Sequence, residues 1–315
     1  MSMSSALWSR WRGELELLSV VLMWGLNFPV MKIILQVMEP LVLNVFRILS
    51  AGLVLGYIYY RRSGGSWSVM TAPYRTHGWL LLRLGFVGWV AYQVAFIEGL
   101  NMTTAGNGAL IMASAPLWTA FVAWAMGVEK LRILSWIGLL VSIVGTAAVV
   151  IFGTATIDFG GDVMLGNLVI LGAAFLWGMY TALTRPLVNH MTPTALTILA
   201  LLPGFPILVL LSLPYISAIA WSGILWWHWI LIFLSGSLST GIAIVLWNRG
   251  VRTIGASHTA AFGNLPPFVA LFAGYFMLGD PVLPGQLVGG VLIVGGLVLM
   301  RRARLDPRTP SPAAH

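Results

Sequence analysis

An all-α, polytopic membrane fold of ten transmembrane helices, built as two inverted five-helix repeats, is the class this sequence predicts. Three observations predict it. Of 315 residues, 59% are hydrophobic and only 8% charged, with a mean hydropathy of +0.91, whereas a soluble domain carries about 25% charged residues. Apolar runs of about 20 residues, the length that crosses a bilayer as a helix, recur along the whole chain. The second half also repeats the first. No cysteine is present, which excludes disulfides and thiolate metal sites. The net charge of +8 is spread between the apolar runs rather than along one face, so it reports topology and not nucleic-acid binding.

The apolar runs fall at residues 15–35, 41–60, 79–99, 104–125, 132–152, 163–185, 194–213, 227–248, 256–278 and 283–300. Glu14 and Glu16 stand at the start of the first, and no small-residue cleavage site follows promptly, so it is expected to be a retained helix rather than a signal peptide. Basic residues then orient the set, because Lys and Arg are held on the cytoplasmic side during insertion. Arg10 and Arg12 precede the first run, and Arg61, Arg62, Arg75 and Arg83 lie in or beside the second connection. Lys130 and Arg132 mark the fourth connection, Arg185 the sixth, Arg249 and Arg252 the eighth, and Arg301, Arg302, Arg304 and Arg308 the tail. The odd-numbered connections hold Glu39, Asp158, Asp162 and Asp280 instead. All but two of the 17 basic residues obey the rule, which places both termini in the cytoplasm; Lys32 and Arg47 are the exceptions. Trp79, Trp221, Trp226, Trp227 and Trp229 suit an interfacial aromatic belt.

Self-comparison gives the organisation. WGLNFPVMK from Trp24 matches WGMYTALTR from Trp177, and Pro40 then falls on Pro193. With the offset reduced from 153 to 151, Gly99, Ala105, Pro116, Glu129, Gly138 and Gly145 fall on Gly250, Ala256, Pro267, Asp280, Gly289 and Gly296. Five spans per copy is an odd number, so the second copy enters the membrane from the opposite side, a mark of many secondary transporters. The expected domains are a cytoplasmic N-terminus (1–14), repeat 1 (15–152), an extracytoplasmic linker (153–162), repeat 2 (163–302) and a disordered cytoplasmic tail (303–315).

WGLNFPVMK, EPLVLNVFRILSAG, IEGLNMTTAGNGALIMASAPLWTAF and HTAAFGNLPPFVALFAGYFMLGD together resemble the EamA-type ten-span carriers of the drug/metabolite transporter superfamily, over residues 15 to 302. The resemblance implies a protein of the bacterial inner (plasma) membrane. It also implies transport of small organic solutes by alternating access, frequently outward, through a cavity between the repeats. It does not name the solute, and it implies no enzyme, cofactor or metal.

Candidate site residues follow from polar or breaking residues inside apolar runs. Pro116 and Pro267 align near the bilayer midplane. There a proline deprives the helix of a donor, and the carbonyls of Met112, Phe262 and Gly263 are expected to be freed towards a cavity. Pro266 adds to the second break, and Asn107 and Asn264 bring polar side chains to the same two runs. The plainer alternative is that these prolines only bend helices. Trp24 and Trp177 lie inside their runs, with Asn27 and Tyr180 three positions on and therefore on the same face; lining a cavity and filling the core are both open. Lys32, Arg47 and Glu98 are expected at similar depth near the outer side, as a gating or coupling set. In that scheme Glu98 is the candidate proton carrier and protons a coupling partner, while the alternatives are a snorkelling Lys32 and a structural Glu98. The excess of one positive charge favours zwitterions or anions, amino acids first, with aromatic or cationic drugs as the alternative. The small-residue stripes Gly138, Ser142, Gly145 and Gly285, Gly289, Gly296 permit close helix contact. Packing within the chain accounts for them, although a homodimer stays open.

Overall fold

The computed structural model describes residues 3–126, 133–152, 161–184, 187, 190–253, 262–263 and 265–305. Every regular element among them is helical. Among the described residues, seven stretches are long and apolar enough to cross a membrane: Gly13–Ile34, Pro40–Arg62, Pro73–Met102, Ala105–Val122, Asp162–Thr184, Pro193–Ala218 and Trp226–Gly250. Shorter apolar helices, Ile133–Val149, Pro266–Leu278 and Pro284–Gly296, stand where the remaining three spans were expected.

In chain order the first repeat holds α1 (Met3–Ile34), α2 (Pro40–Arg62), the short α3 (Trp67–Thr71), α4 (Pro73–Leu84), a π-helical segment (Gly85–Ala91) and α5 (Tyr92–Met102). It continues with α6 (Ala105–Met112), α7 (Ala115–Ala125) and α8 (Ile133–Phe152). The second holds α9 (Asp162–Thr184), α10 (Pro193–Ser212), α11 (Trp226–Leu234), a second π-helical segment (Ser235–Ile242), α12 (Ala243–Thr253), α13 (Pro266–Leu278) and α14 (Pro284–Leu305).

Local chemistry sets several of these boundaries. Pro40 and Pro193 open α2 and α10 from the first turn, where a missing N–H costs nothing. Thr104 and Thr192 cap α6 and α10, their hydroxyls accepting from the amides of Asn107 and Ala195. Gly279, at φ 72°, ends α13 in the left-handed region, with its own amide and that of Asp280 turned back to the carbonyls of Tyr275 and Gly274.

At the prolines new helices begin. Pro116 lies in the first turn of α7, and Pro266 and Pro267 open α13. At the 151-residue offset Ala115 falls on Pro266, so the two helices restart at equivalent places. The carbonyl of Phe262, expected to be open, accepts from the amide of Leu265 at 3.1 Å, because a tight turn replaces the missing helical bond. Asn264, Glu129, Asp158, Arg185, Ala256, the stretch 153–160 of the linker and the tail from 306 lie outside the described residues.

Helix pairing obeys the repeat. α1 packs on α13 and α12, and its counterpart α9 packs on the counterparts α7 and α5. α2 lies against the second π segment as α10 lies against the first. Each repeat therefore buries its helices against the other, and the space between them is bounded by both. To one side α8 and α14 form a close pair of their own. A Cβ added at Gly145 would stand 2.7 Å from the Gly289 carbonyl oxygen, and Ser142 donates to the carbonyl of Ile293 at 2.9 Å. The small-residue stripes are thus consumed by contact within the chain.

Candidate functional site

A cavity of about 270 Å³ lies between the repeats. Trp24, Asn27, Trp177 and Tyr180 all line it, as do Met112, Pro116, Pro266 and Pro267 at the two helix breaks. Trp24 stands edge-on to Trp177 with ring centroids 6.3 Å apart, and 5.0 Å from Trp247. Trp177 continues the wall to Tyr92 at 5.1 Å and stacks on Tyr180 at 5.3 Å. These separations are those at which aromatic pairs attract beyond their area. The Trp24 indole donates to the carbonyl of Ser239 at 3.0 Å, which fixes the ring.

The same cavity is lined by a charge. Arg47 on α2 is only 2% exposed and lines the cavity. Its Nε donates to Ser235 Oγ at 2.8 Å, Nη1 to Asn44 Oδ1 at 3.2 Å and Nη2 to Thr240 Oγ1 at 2.9 Å. Ser235 in turn donates to Asn27 Oδ1 at 2.6 Å, so α1, α2 and the second π segment are tied by one polar network. No carboxylate among the described residues forms an ion pair with Arg47; the ion pair found there joins Arg249 to Glu16 at 3.0 Å. The seat is shaped by Gly236: a Cβ at that position would meet the Arg47 carbonyl oxygen at 2.1 Å, so only glycine lets α2 approach so closely.

The predicted Lys32, Arg47 and Glu98 set is not gathered into ion pairs. The Lys32 ammonium donates to the carbonyls of Leu100 and Asn101, at 3.2 and 3.0 Å, at the C-terminal end of α5. That arrangement satisfies helix-end acceptors and suits the dipole. The carboxylate that couples to Lys32 is Asp280, in the connection after α13, and the charge that acts on Glu98 is Glu39. Burial pushes the Asp280 carboxylate above its usual range, outweighing the Ala105 backbone N–H and Lys32, which pull the other way. Asn107 is fully buried away from the cavity and accepts from Gln286 Nε2 at 2.8 Å, joining α6 to α14.

Sequence reasoning did not single out Tyr92, Gln93, Thr181, Ser239, Thr240, Trp247 or Asn248, all of which line the cavity. The available signal was the small polar run SGSLSTG at 235–241, unusual inside an apolar span.

An all-helical membrane bundle with a cavity shared between two repeats is the architecture of a carrier. The chain belongs to the EamA-like transporter family, which matches residues 11–151 and again 164–302. It is 29% identical over 215 residues to the uncharacterized transporter YyaM of Bacillus subtilis, covering 68% of this chain and 70% of that one. It is 27% identical over 312 residues to a protein of Streptantibioticus cattleyicolor named "Probable terminal-alkyne amino-acid exporter", covering 98% and 97%. A solved crystal structure shares the fold at a TM-score of 0.65, over 96% of this chain and 99% of its own, with 19% identity.

Proposed function

We propose that this transporter moves small organic metabolites, amino acids and related compounds first, outward across a bacterial plasma membrane with both termini cytoplasmic. Solutes pass by alternating access through the cavity between the repeats. The observation that carries the reading is the cavity itself, lined both by a cluster of aromatic rings and by a buried guanidinium. Those two surfaces complement the two ends of an apolar amino acid. The name of the Streptantibioticus relative supports the choice of solute and direction. The aromatic wall alone also suits aromatic or cationic drugs, the alternative class.

Counterflow in proteoliposomes tests the reading. Radiolabelled leucine or phenylalanine is expected to accumulate transiently against unlabelled solute, in a saturable manner. Absence of saturable flux for amino acids, drugs and other metabolites would reject a carrier in favour of a scaffold or receptor. Flux of cationic drugs alone would select the alternative.

A further inference from the structure

Burying a guanidinium is costly unless it is paired, yet Arg47 is enclosed with neutral side-chain partners only. The fold does not demand it. At the repeat offset of 153 Arg47 falls on Ala200, and Ala200 makes the equivalent backbone contact. A Cβ at Gly85 would meet the Ala200 carbonyl oxygen at 2.8 Å, as one at Gly236 would meet that of Arg47 at 2.1 Å. Most of the network around Arg47 is not kept in the other half either: Asn27, Ser235 and Thr240 fall on Tyr180, Leu84 and Trp89, and of its members Asn44 alone falls on a hydroxyl, Thr197.

A guanidinium has five N–H groups in a fixed plane. Three are used here, one each on Nε, Nη1 and Nη2. One N–H is left on each Nη, and guanidinium N–H groups are donors that hold a carboxylate by charge-assisted bonds. Tyr92 lines the same cavity as Arg47. The next residue, Gln93, lines the same cavity with a buried side-chain oxygen that has no partner. That oxygen is an acceptor of the kind an ammonium group needs.

We infer that Arg47 is the carboxylate anchor of this carrier. It holds α-amino carboxylates with the ammonium towards Gln93 and an apolar side chain along Trp24 and Trp177. The inference rests on the carrier reading above and names the chemistry that its cavity selects.

Binding to purified protein in detergent, followed by intrinsic tryptophan fluorescence, tests it. L-Leucine and L-phenylalanine are each titrated beside the amine that lacks the carboxylate, isoamylamine or phenethylamine. Wild-type protein is expected to bind each amino acid about tenfold or more tighter than its amine, as charge-assisted bonds lost without replacement imply. Arg47→Gln removes that preference, and Arg47→Lys, a point charge without the planar group, weakens it. The ratio between paired solutes is insensitive to the amount of active protein. If Arg47→Gln does not fold, the wild-type and Arg47→Lys ratios decide. Equal wild-type affinities, or an unchanged ratio in Arg47→Lys, overturn the anchor. Saturable amine or drug flux in proteoliposomes with no amino-acid flux also overturns it while leaving a carrier in place. No saturable flux of any solute removes the carrier reading and the anchor together.

Discussion

The two π-helical segments occupy equivalent places in the repeats and do opposite things chemically. Around Ser235–Ile242 sit Asn27, Arg47 and Thr240, joined by hydrogen bonds. Around Gly85–Ala91 sit Tyr180, Ala200, Leu84 and Trp89, all within one hydrophobic cluster. The backbone solution is shared: a glycine in each π segment admits the neighbouring helix, α2 in one case and α10 in the other. π segments recur at functional sites because they widen the helix and redirect side chains. What the difference teaches is that the fold needs only the glycine contact. The charge is an addition made to one half, and it is this half's π segment that brings polar side chains, Ser239 and Thr240, to the cavity.

Placing an arginine in the apolar half should break the comparison most severely. Ala200→Arg would bury a guanidinium among Trp89, Tyr180 and Leu84 without partners, at a cost of roughly 3–5 kcal/mol. Thermal unfolding in detergent is expected to show loss of a folded, monodisperse species. A stable Ala200→Arg protein would mean that the two halves are interchangeable.

Next come the glycines. Gly236→Ala forces a methyl against the Arg47 carbonyl oxygen, and Gly85→Ala against that of Ala200. Overpacking of this kind costs about 1–3 kcal/mol. The closer contact at Gly236 should make it the larger loss, and a reversed order of melting temperatures would contradict the geometry.

How far this was legible in the sequence depends on what kind of signal each feature leaves. Paired landmarks such as Trp24 with Trp177 and Pro116 with Pro267 identified the repeat, because both copies kept the same residue type. Trp24, Asn27, Trp177 and Tyr180 were marked as candidates, since aromatic and polar residues three apart in an apolar run share a face, but the sequence left cavity lining and core filling both open. The role inferred for Arg47 was harder to read, for the opposite reason. Arg47 and Ala200 are unlike, so a search for likeness passes over them. Depth alone grouped Arg47 with Lys32 and Glu98, but depth does not fix rotation about the helix axis. Lys32 turns to the carbonyls of Leu100 and Asn101, while Arg47 turns to the second π segment. The π segments themselves leave no periodic trace, as they arise from one extra residue per turn.

Smaller effects sharpen the contrast between the two tryptophans. The Trp24 N–H bonds to the Ser239 carbonyl, whereas Trp177 is held by ring contacts with Trp24, Tyr92 and Tyr180. Trp24→Phe should therefore cost about 1 kcal/mol more than Trp177→Phe, as measured by paired melts. Equal costs would show that the indole bond contributes nothing. Smallest of all is the Glu16–Arg249 pair, whose side chains remain 20% and 40% exposed. Glu16→Gln should lower stability by about 0.2–1 kcal/mol, and the difference should shrink as salt is raised.

The central claim, that solute occupies the cavity between the unlike halves, is tested most directly by thiol protection. The chain contains no cysteine, so Thr181→Cys places a single thiol on the cavity wall. Its labelling by a water-soluble maleimide is measured in proteoliposomes with and without a solute that the same vesicles transport. The account predicts labelling that falls with solute concentration at the half-saturation of flux. Labelling that proceeds at an unchanged rate under saturating, transported solute would contradict it.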